Sequence, residues 1–278
     1  MILGYNTNGF AHHRIEDAIE IIAGIGYRGV AITLEHDLLD PPDARGVDRC
    51  VRRLAPILQQ RGLAGVIETG ARFILDPRRK HQPTMLSRTP EDRRRRIDFL
   101  KASIDVAAAL GIKCVSLWSG RADDDASHEQ RWERLAESMR EVLSHADGGH
   151  VRLGFEPEPG MFVETMAQFA ELLERVSHST LGLTLDVGHV HCLSDGDAAG
   201  HIVRWKDRLC NVHLEDMRRG VHEHLMFGDG DMDVRSVLTA LRAIDYSGSV
   251  NVELSRHSHD AVHTARAAFG FLSRILSE

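Results

Sequence analysis

The sequence predicts an α/β fold, a single (β/α)8 barrel domain spanning residues 1–278, and three observations carry that prediction. Apolar strand-like segments and amphipathic helical segments alternate eight times with no linker, low-complexity tract or long charge block between them. Such alternation implies parallel strands joined by crossover helices, and eight repeats is the number that closes a cylinder. The length of 278 residues suits one such barrel and can bury a large core. The competing fold, an open doubly wound sheet, is disfavoured by the first strand-to-helix turn. Asn6-Thr7-Asn8-Gly9-Phe10 lacks the Gly-x-Gly-x-x-Gly phosphate cradle, and eight units exceed the usual six strands of such a sheet.

Ile2 to Thr7 reads as the first strand, followed by a helix with Ile15, Ala18, Ile19, Ile22 and Ala23 at helical spacing, ending at Gly24-Ile25-Gly26. Arg28 to Leu34 is the second strand, and a Pro-rich loop leads to a helix from about Val47 to Gln60. Leu63 to Glu68 is the third. The polar segment Thr69 to Pro90 that follows has no clear periodicity, which marks a functional loop or lid. A helix from about Glu91 to Leu110 carries the run Arg93 to Arg96, read as a solvated face. Lys113 to Trp118 and Val151 to Glu156 are the fourth and fifth strands, separated by a helix from Glu129 to His145. Pro157 and Pro159 stop the fifth strand. Val163 to Val176 is helical. The sixth strand ends at Asp186, the seventh is Leu209 to Leu214, the eighth Ser249 to Leu254, and a last helix runs from about Asp260 to Leu276. Residues Asp216 to Asp231 are expected as an extended loop.

A net charge of −7 argues against a surface built for nucleic acid, although 17 His and the Arg run leave room for a cationic pocket. Cys50, Cys114, Cys192 and Cys210 form no Cys-x-x-Cys pair, as expected of free thiols in a reducing compartment. The first residues lack the basic start and long apolar core of a signal peptide, and no apolar run has membrane-spanning length. A soluble cytoplasmic protein with a small-molecule partner, no membrane and no nucleic acid is the expectation, and assembly into a homo-oligomer stays open.

Gly182-Leu183-Thr184-Leu185-Asp186-Val187-Gly188-His189 delivers two ligand-type side chains at a strand's carboxyl end. Taken with it, Glu156, His213 and Glu253 stand at or near the ends of the fifth, seventh and eighth strands. The steps of 30, 27 and 40 residues from Glu156 to Asp186 to His213 to Glu253 compare with about 31 residues per unit of a barrel. The longer last step contains the Asp216 to Asp231 loop. In a parallel barrel these ends share one rim. Three carboxylates and an imidazole cannot share a buried space uncompensated, and a divalent cation resolves the conflict. One ion is expected, Mn²⁺ first, with Co²⁺, Mg²⁺ or Zn²⁺ as alternatives, because oxygen-rich ligation with one His suits hard or borderline cations.

Phe155-Glu156-Pro157, Leu185-Asp186-Val187-Gly188-His189, Asn211-Val212-His213-Leu214-Glu215-Asp216, His224-Leu225-Met226-Phe227-Gly228-Asp229-Gly230-Asp231 and Val252-Glu253 resemble the signatures of the xylose isomerase-like TIM barrels. That superfamily includes sugar and sugar-phosphate isomerases and epimerases, related dehydratases and the endonuclease IV group. The resemblance implies that Glu156, Asp186, His213 and Glu253 are the metal ligands and that Glu156 and Glu253 move protons on opposite sides of the substrate. It implies that His189 and Arg219 or Arg218 hold substrate oxygens.

The chemistry expected is isomerisation or epimerisation of a keto-sugar, sugar phosphate or related polyhydroxy carbonyl compound. The metal polarises the carbonyl, and a carboxylate takes the α-proton to give a metal-bound cis-enediolate. A dehydratase or lyase would use the same site and expel a β-hydroxyl, and a barrel that binds a metabolite without turning it over is a third reading. An endonuclease IV-like metallo-phosphodiesterase is disfavoured: that group draws further His ligands from strands three and four, where this chain has Glu68 and Trp118-Ser119. His189, His222 and His224 stand where that group places further zinc ligands, and are read here as substrate-binding or supporting groups, with a second metal at His189 and His224 as the alternative. Glu68, Arg72, Lys80 and His81, in or beside the third loop, are candidates for specificity, and Trp118 for stacking on a sugar ring.

Overall fold

The computed structural model describes residues 1–39 and 45–278; the Pro-rich loop expected after the second strand falls on 40–44, outside the described residues. In chain order the strands are β1 (Ile2–Asn6), β2 (Gly29–Thr33), β3 (Ala64–Glu68), β4 (Cys114–Leu117), β5 (Arg152–Phe155), β6 (Leu181–Asp186), β7 (Leu209–Leu214), β8 (Asp216–Arg218), β9 (Val221–Leu225) and β10 (Ser249–Val252). The helices are α1 (Ile15–Ile25), α2 (Gly46–Arg61), α3 (Pro90–Ala109), α4 (His128–Gly149), α5 (Met166–Val176), α6 (Val187–Leu193), α7 (Ala198–Arg204), α8 (Val234–Ala243) and α9 (Ala261–Ser277), with 3-10 turns at Thr7–Phe10 and Ser255–Asp260. Eight strands close into a barrel in the order β1-β10-β7-β6-β5-β4-β3-β2, so the (β/α)8 expectation holds. The remaining pair, β8 and β9, is antiparallel. The segment read as an open loop after the seventh strand therefore contains a hairpin.

Backbone contacts group the chain into two compact units, one of residues 1–32, 54–66 and 184–278, the other of 33–53 and 67–183. In the first, β1 pairs β10 through Leu3↔Val250 and Gly4↔Asn251, and β10 pairs β7 through Asn251↔His213. Its aromatic core sets Tyr5 edge-on to Phe10 and Tyr27, and Tyr27 edge-on to Phe269, with ring centroids 5.0–5.5 Å apart. Burial of Tyr27 is completed by a hydrogen bond from its hydroxyl to the Ala265 carbonyl, which ties α9 to this core. Gly26 ends α1 at φ 127°, where a side chain would be strained, as the glycine stop in the sequence implies.

The second unit pairs β4 with β5 from Cys114↔Arg152 to Leu117↔Phe155. Its helices start where local chemistry dictates. Thr89 caps α3 ahead of Pro90, and Ser127-x-x-Gln130 and Thr165-x-x-Gln168 are capping boxes. The Thr165 box starts α5 three residues later than the apolar pattern alone suggests.

One expectation is overturned inside this unit. Arg96 is not on a solvated face; only 4 % exposed, it donates from Nε to the Pro83 carbonyl at 2.8 Å and from Nη2 to the His81 carbonyl at 2.9 Å. Its guanidinium lies 5.4 Å from the Trp118 ring centroid and 5.5 Å from that of Phe99. The reason is helical phase: Arg96 shares a stripe with buried Phe99, Leu100 and Ser103 at three, four and seven residues' distance. The third loop is correspondingly packed, with Ile74, Leu75, Met85 and Leu86 buried among its polar residues.

Gly4 separates two barrel neighbours. A Cβ there would stand 2.1 Å from Asn251 Oδ1 and 2.9 Å from the Gly29 carbonyl carbon. Because the second contact is backbone, Gly4→Ala is expected to destabilise by about 1–3 kcal/mol. A urea midpoint equal to that of the wild type would show that β1 and β2 separate freely.

Candidate metal centre

Each strand end places its side chain through a local constraint. Glu156 follows β5, its backbone N–H donating to the Leu117 carbonyl at 2.8 Å, and is buried. Asp186 is at once the last residue of β6 and the N-cap of α6: Oδ1 accepts from His189 N–H at 2.8 Å. That leaves Oδ2 buried without a hydrogen bond, 3.4 Å from His189 Nε2 and 4.0 Å from His213 Nδ1. His213, on β7 and 1 % exposed, sets Nδ1 2.9 Å from Glu253 Oε2. Glu253 follows β10, and its other oxygen, Oε1, accepts from Asn8 Nδ2 at 2.7 Å.

Asp186, His213 and Glu253 each offer one ligand atom, all within 4.8 Å of one another. Two carboxylates, one imidazole and an orphaned buried oxygen on Asp186 fit a divalent cation of the oxygen-preferring kind. Burial pushes the Glu253 carboxyl up, but the charge and hydrogen bond of His213, the charge of His224 and the hydrogen bond of Asn8 hold it well below the usual carboxylate range. Asp186 is likewise held low against burial by His189, His224 and His213. Both are anionic and ready to ligate.

Beside these three the structure gathers the histidines that the sequence reading weighed for a second metal, together with Glu215, to which it gave no role. His189, His222 and His224 form one triplet, and Asp186, Glu215 and His224 another. His222 Nε2 lies 3.1 Å from His189 Nε2, and the ring centroids of the three imidazoles stand 4.8–5.8 Å apart. Glu215, fully buried, has neither carboxylate oxygen in a hydrogen bond and approaches His224 Nδ1 at 3.7 Å. Burial, then the Asp186 charge, pushes the Glu215 carboxyl up to about 8. For His224 burial opposes protonation, yet the nearby Glu215 carboxylate pushes the imidazole up to about 10. Room for Glu215 comes from Gly188, where a Cβ would stand 2.0 Å from Oε1. Its signal in the sequence was spacing: Glu215 is two residues past His213, the strand period that returns to one face.

The other candidates are spread more widely. Glu68 ends β3 and is buried. Trp118, just past β4, is nearly buried with its ring edge-on to His81 at 5.2 Å. Arg218 donates to the Asp229 carbonyl at 2.7 Å. Arg219 is exposed and, with His191, Asp197, Asp231 and Ser236, lines a cavity of about 290 Å³. Lys80 is exposed, and Arg72 is half-buried.

His81 carries a pH signature. Burial, then the charges of Lys80, Arg96 and Arg72, lowers its imidazole to about 4. A depressed pKa means the folded protein resists protonation there, so this contribution is present above about 6.5 and is lost as pH falls through about 4. His81→Gln is expected to flatten the fall of stability over that window, read by urea unfolding at a series of pH values. An unchanged slope would show that His81 accepts its proton freely in the fold.

A family model described as xylose isomerase-like TIM barrel matches residues 19–275. The chain belongs to that family. Among solved structures, this xylose isomerase-like barrel superposes on a D-allulose 3-epimerase from Methylomonas sp. with TM-score 0.77 at 20 % identity, covering 99 % of this chain and 98 % of that one. It superposes on an IolI protein with a bound zinc atom with TM-score 0.76 at 18 % identity, covering 100 % and 98 %. At such identities the likeness concerns the fold. Among curated relatives, an inosose dehydratase of Salmonella typhimurium is 27 % identical over 142 residues, 45 % of this chain and 47 % of that protein. A 3-dehydroshikimate dehydratase of Pseudomonas putida is 25 % identical over 271 residues, 94 % of this chain and 39 % of that protein. The chain spans about half the length, or less, of these curated relatives. Its family neighbours are thus sugar epimerases and dehydratases, and among the described residues no helix is long and apolar enough to cross a membrane.

Proposed function

We propose that this barrel is a divalent-metal-dependent isomerase or epimerase of a keto-sugar, sugar phosphate or related polyhydroxy carbonyl compound. The observation that carries the reading is the Glu253 carboxylate, anionic, held at one oxygen by Asn8 and at the other by His213, in one ligand group with Asp186. Glu156, Asp186, His213 and Glu253 would hold one cation, which supplies a Lewis acid that polarises a carbonyl and its neighbouring hydroxyl. Glu253 then serves as the base for the α-proton, oriented for it by Asn8. Glu156 is the second carboxylate and acts from the opposite face, returning the proton to the other face for epimerisation or to the neighbouring carbon for isomerisation. His189 and His224 orient substrate oxygens, as does Arg219 by way of the hairpin that carries it. Glu68 and Trp118 contact the remainder of the substrate.

A second reading keeps these residues and changes the outcome. The names of two relatives, inosose dehydratase and 3-dehydroshikimate dehydratase, favour it: removal of the same α-proton, followed by departure of a β-hydroxyl, is a dehydration. Incubating the metal-loaded protein in D₂O with a panel of ketoses and with an inosose separates the two. Deuterium incorporated with the skeleton's water content unchanged supports isomerisation or epimerisation, and loss of one water supports dehydration. Neither outcome with any of these compounds would remove proton transfer next to a carbonyl as the activity.

A further inference from the structure

Two asparagines occupy the barrel interior, where layers of branched apolar side chains ordinarily stand. Asn211 on β7 and Asn251 on β10 are both fully buried, and a buried amide left without partners is destabilising. These two spend their hydrogen bonds on each other and on the metal centre. Asn251 Nδ2 donates to Asn211 Oδ1 at 2.9 Å, and Asn211 Nδ2 meets His213 Nε2 at 3.0 Å. From His213 the file continues through Nδ1 to Glu253 Oε2 at 2.9 Å and from Glu253 Oε1 to Asn8 Nδ2 at 2.7 Å. Register builds the file. Asn211 is two residues before His213 on one strand, hence on the same face, and Asn251 is the register partner of His213 on one side and of Gly4 on the other. The missing Cβ of Gly4 is what makes room for the Asn251 amide. At its inner end Asn251 Oδ1 is buried with no hydrogen bond, a cost that an apolar residue at that position would have avoided.

We propose that the Asn211–Asn251 pair is a positioning device for His213, holding the ring with Nδ1 toward the carboxylates and accepting either tautomer. An amide offers a donor and an acceptor at nearly the same place, so turning it over reverses a hydrogen bond without moving heavy atoms. In the structure Asn211 Nδ2 donates into Nε2, which puts the ring proton on Nδ1, toward Glu253. A cation needs the Nδ1 lone pair, so the ring proton must then stand on Nε2. Asn211 turns over to accept it, and Asn251 turns with it to keep their contact. A ligating imidazole ordinarily donates its other N–H to a carboxylate, a carbonyl or water; here a buried side-chain amide takes that part. The metal half of this inference rests on the proposed function, and the tautomer half does not.

The test uses the full chain labelled with ¹⁵N-histidine, with zinc alone as the probe. Long-range ¹H–¹⁵N correlation is expected to show the His213 proton on Nδ1 without metal and on Nε2 with zinc. Asn211→Leu, close in shape and unable to hydrogen-bond, is expected to leave the metal-free ring exchanging between tautomers and to weaken zinc binding by about 10–100-fold, the usual cost of losing a ligand's outer partner. Should Asn211→Leu fail to fold, Asn251→Leu, one bond further from the ring, is expected to loosen the tautomer with a smaller loss of affinity. A metal-free wild type with the proton on Nε2, or a folded variant with unchanged tautomer and zinc affinity, overturns the proposal. A wild type that binds no zinc overturns the metal centre of the proposed function instead, while the metal-free tautomer still decides what Asn211 does.

Discussion

Glu253→Gln is expected to abolish solvent-proton exchange into substrate while leaving the fold intact. The substitution keeps the shape of the side chain at the rim, beyond the last residue of β10, so the packed interior is untouched. It removes the charge that His213 and Asn8 hold in place, and an amide cannot take the α-proton. Loss of a positioned general base lowers turnover about 10²–10⁴-fold. The measurement is deuterium incorporation by nuclear magnetic resonance in D₂O, paired with a urea midpoint to confirm folding. Exchange at the wild-type rate would remove Glu253 as the base and with it the two-carboxylate mechanism.

His213→Ala is expected to lose most of the bound cation. His213 supplies the single nitrogen of the Asp186, His213 and Glu253 group, and its removal also takes away the ring that Asn211 Nδ2 meets. The affinity loss should exceed the 10–100-fold expected when only an outer partner of a ligand is removed. Plasma emission on dialysed protein, with zinc titration for the affinity, reads the result. Stability has its own direction here. Glu253 is held low by His213 and is therefore stabilised in its charged form above the ordinary carboxylate range; without the imidazole, that contribution, lost in wild type only as pH falls well below the usual carboxylate value, is reduced at neutral pH. A variant with unchanged metal content would take His213 out of the ligand group.

Much of the barrel was legible because its signals are local. A strand shows in four to six apolar residues and a helix in a three-to-four-residue period, and these placed all eight barrel strands within about two residues of their ends in the structure. Where a second local signal competed, the reading slipped. Arg96 belongs to an arginine run, which suggested solvent, yet its phase with Phe99 and Ser103 turned it inward beneath Trp118. The polar composition of residues 216–231 hid the hairpin β8–β9, whose strands, of three and five residues, are too short for alternation to show.

The candidate ligands were legible for a different reason. A parallel barrel puts all strand carboxyl ends on one rim, so a residue's place in its own strand already says which end of the barrel it faces. The strand ends at Glu156, Asp186, His213 and Glu253 followed from sequence alone. Tertiary structure decided what each side chain touches. Asn8 reaches Glu253 across 245 residues of chain, Asn211 and Asn251 meet beneath His213, and Glu215 is buried against Gly188 beside Asp186. Periodicity assigns a residue to a face of its own element; partners on that face are chosen by strand register and by where a missing Cβ leaves room, and both belong to elements far apart in the chain.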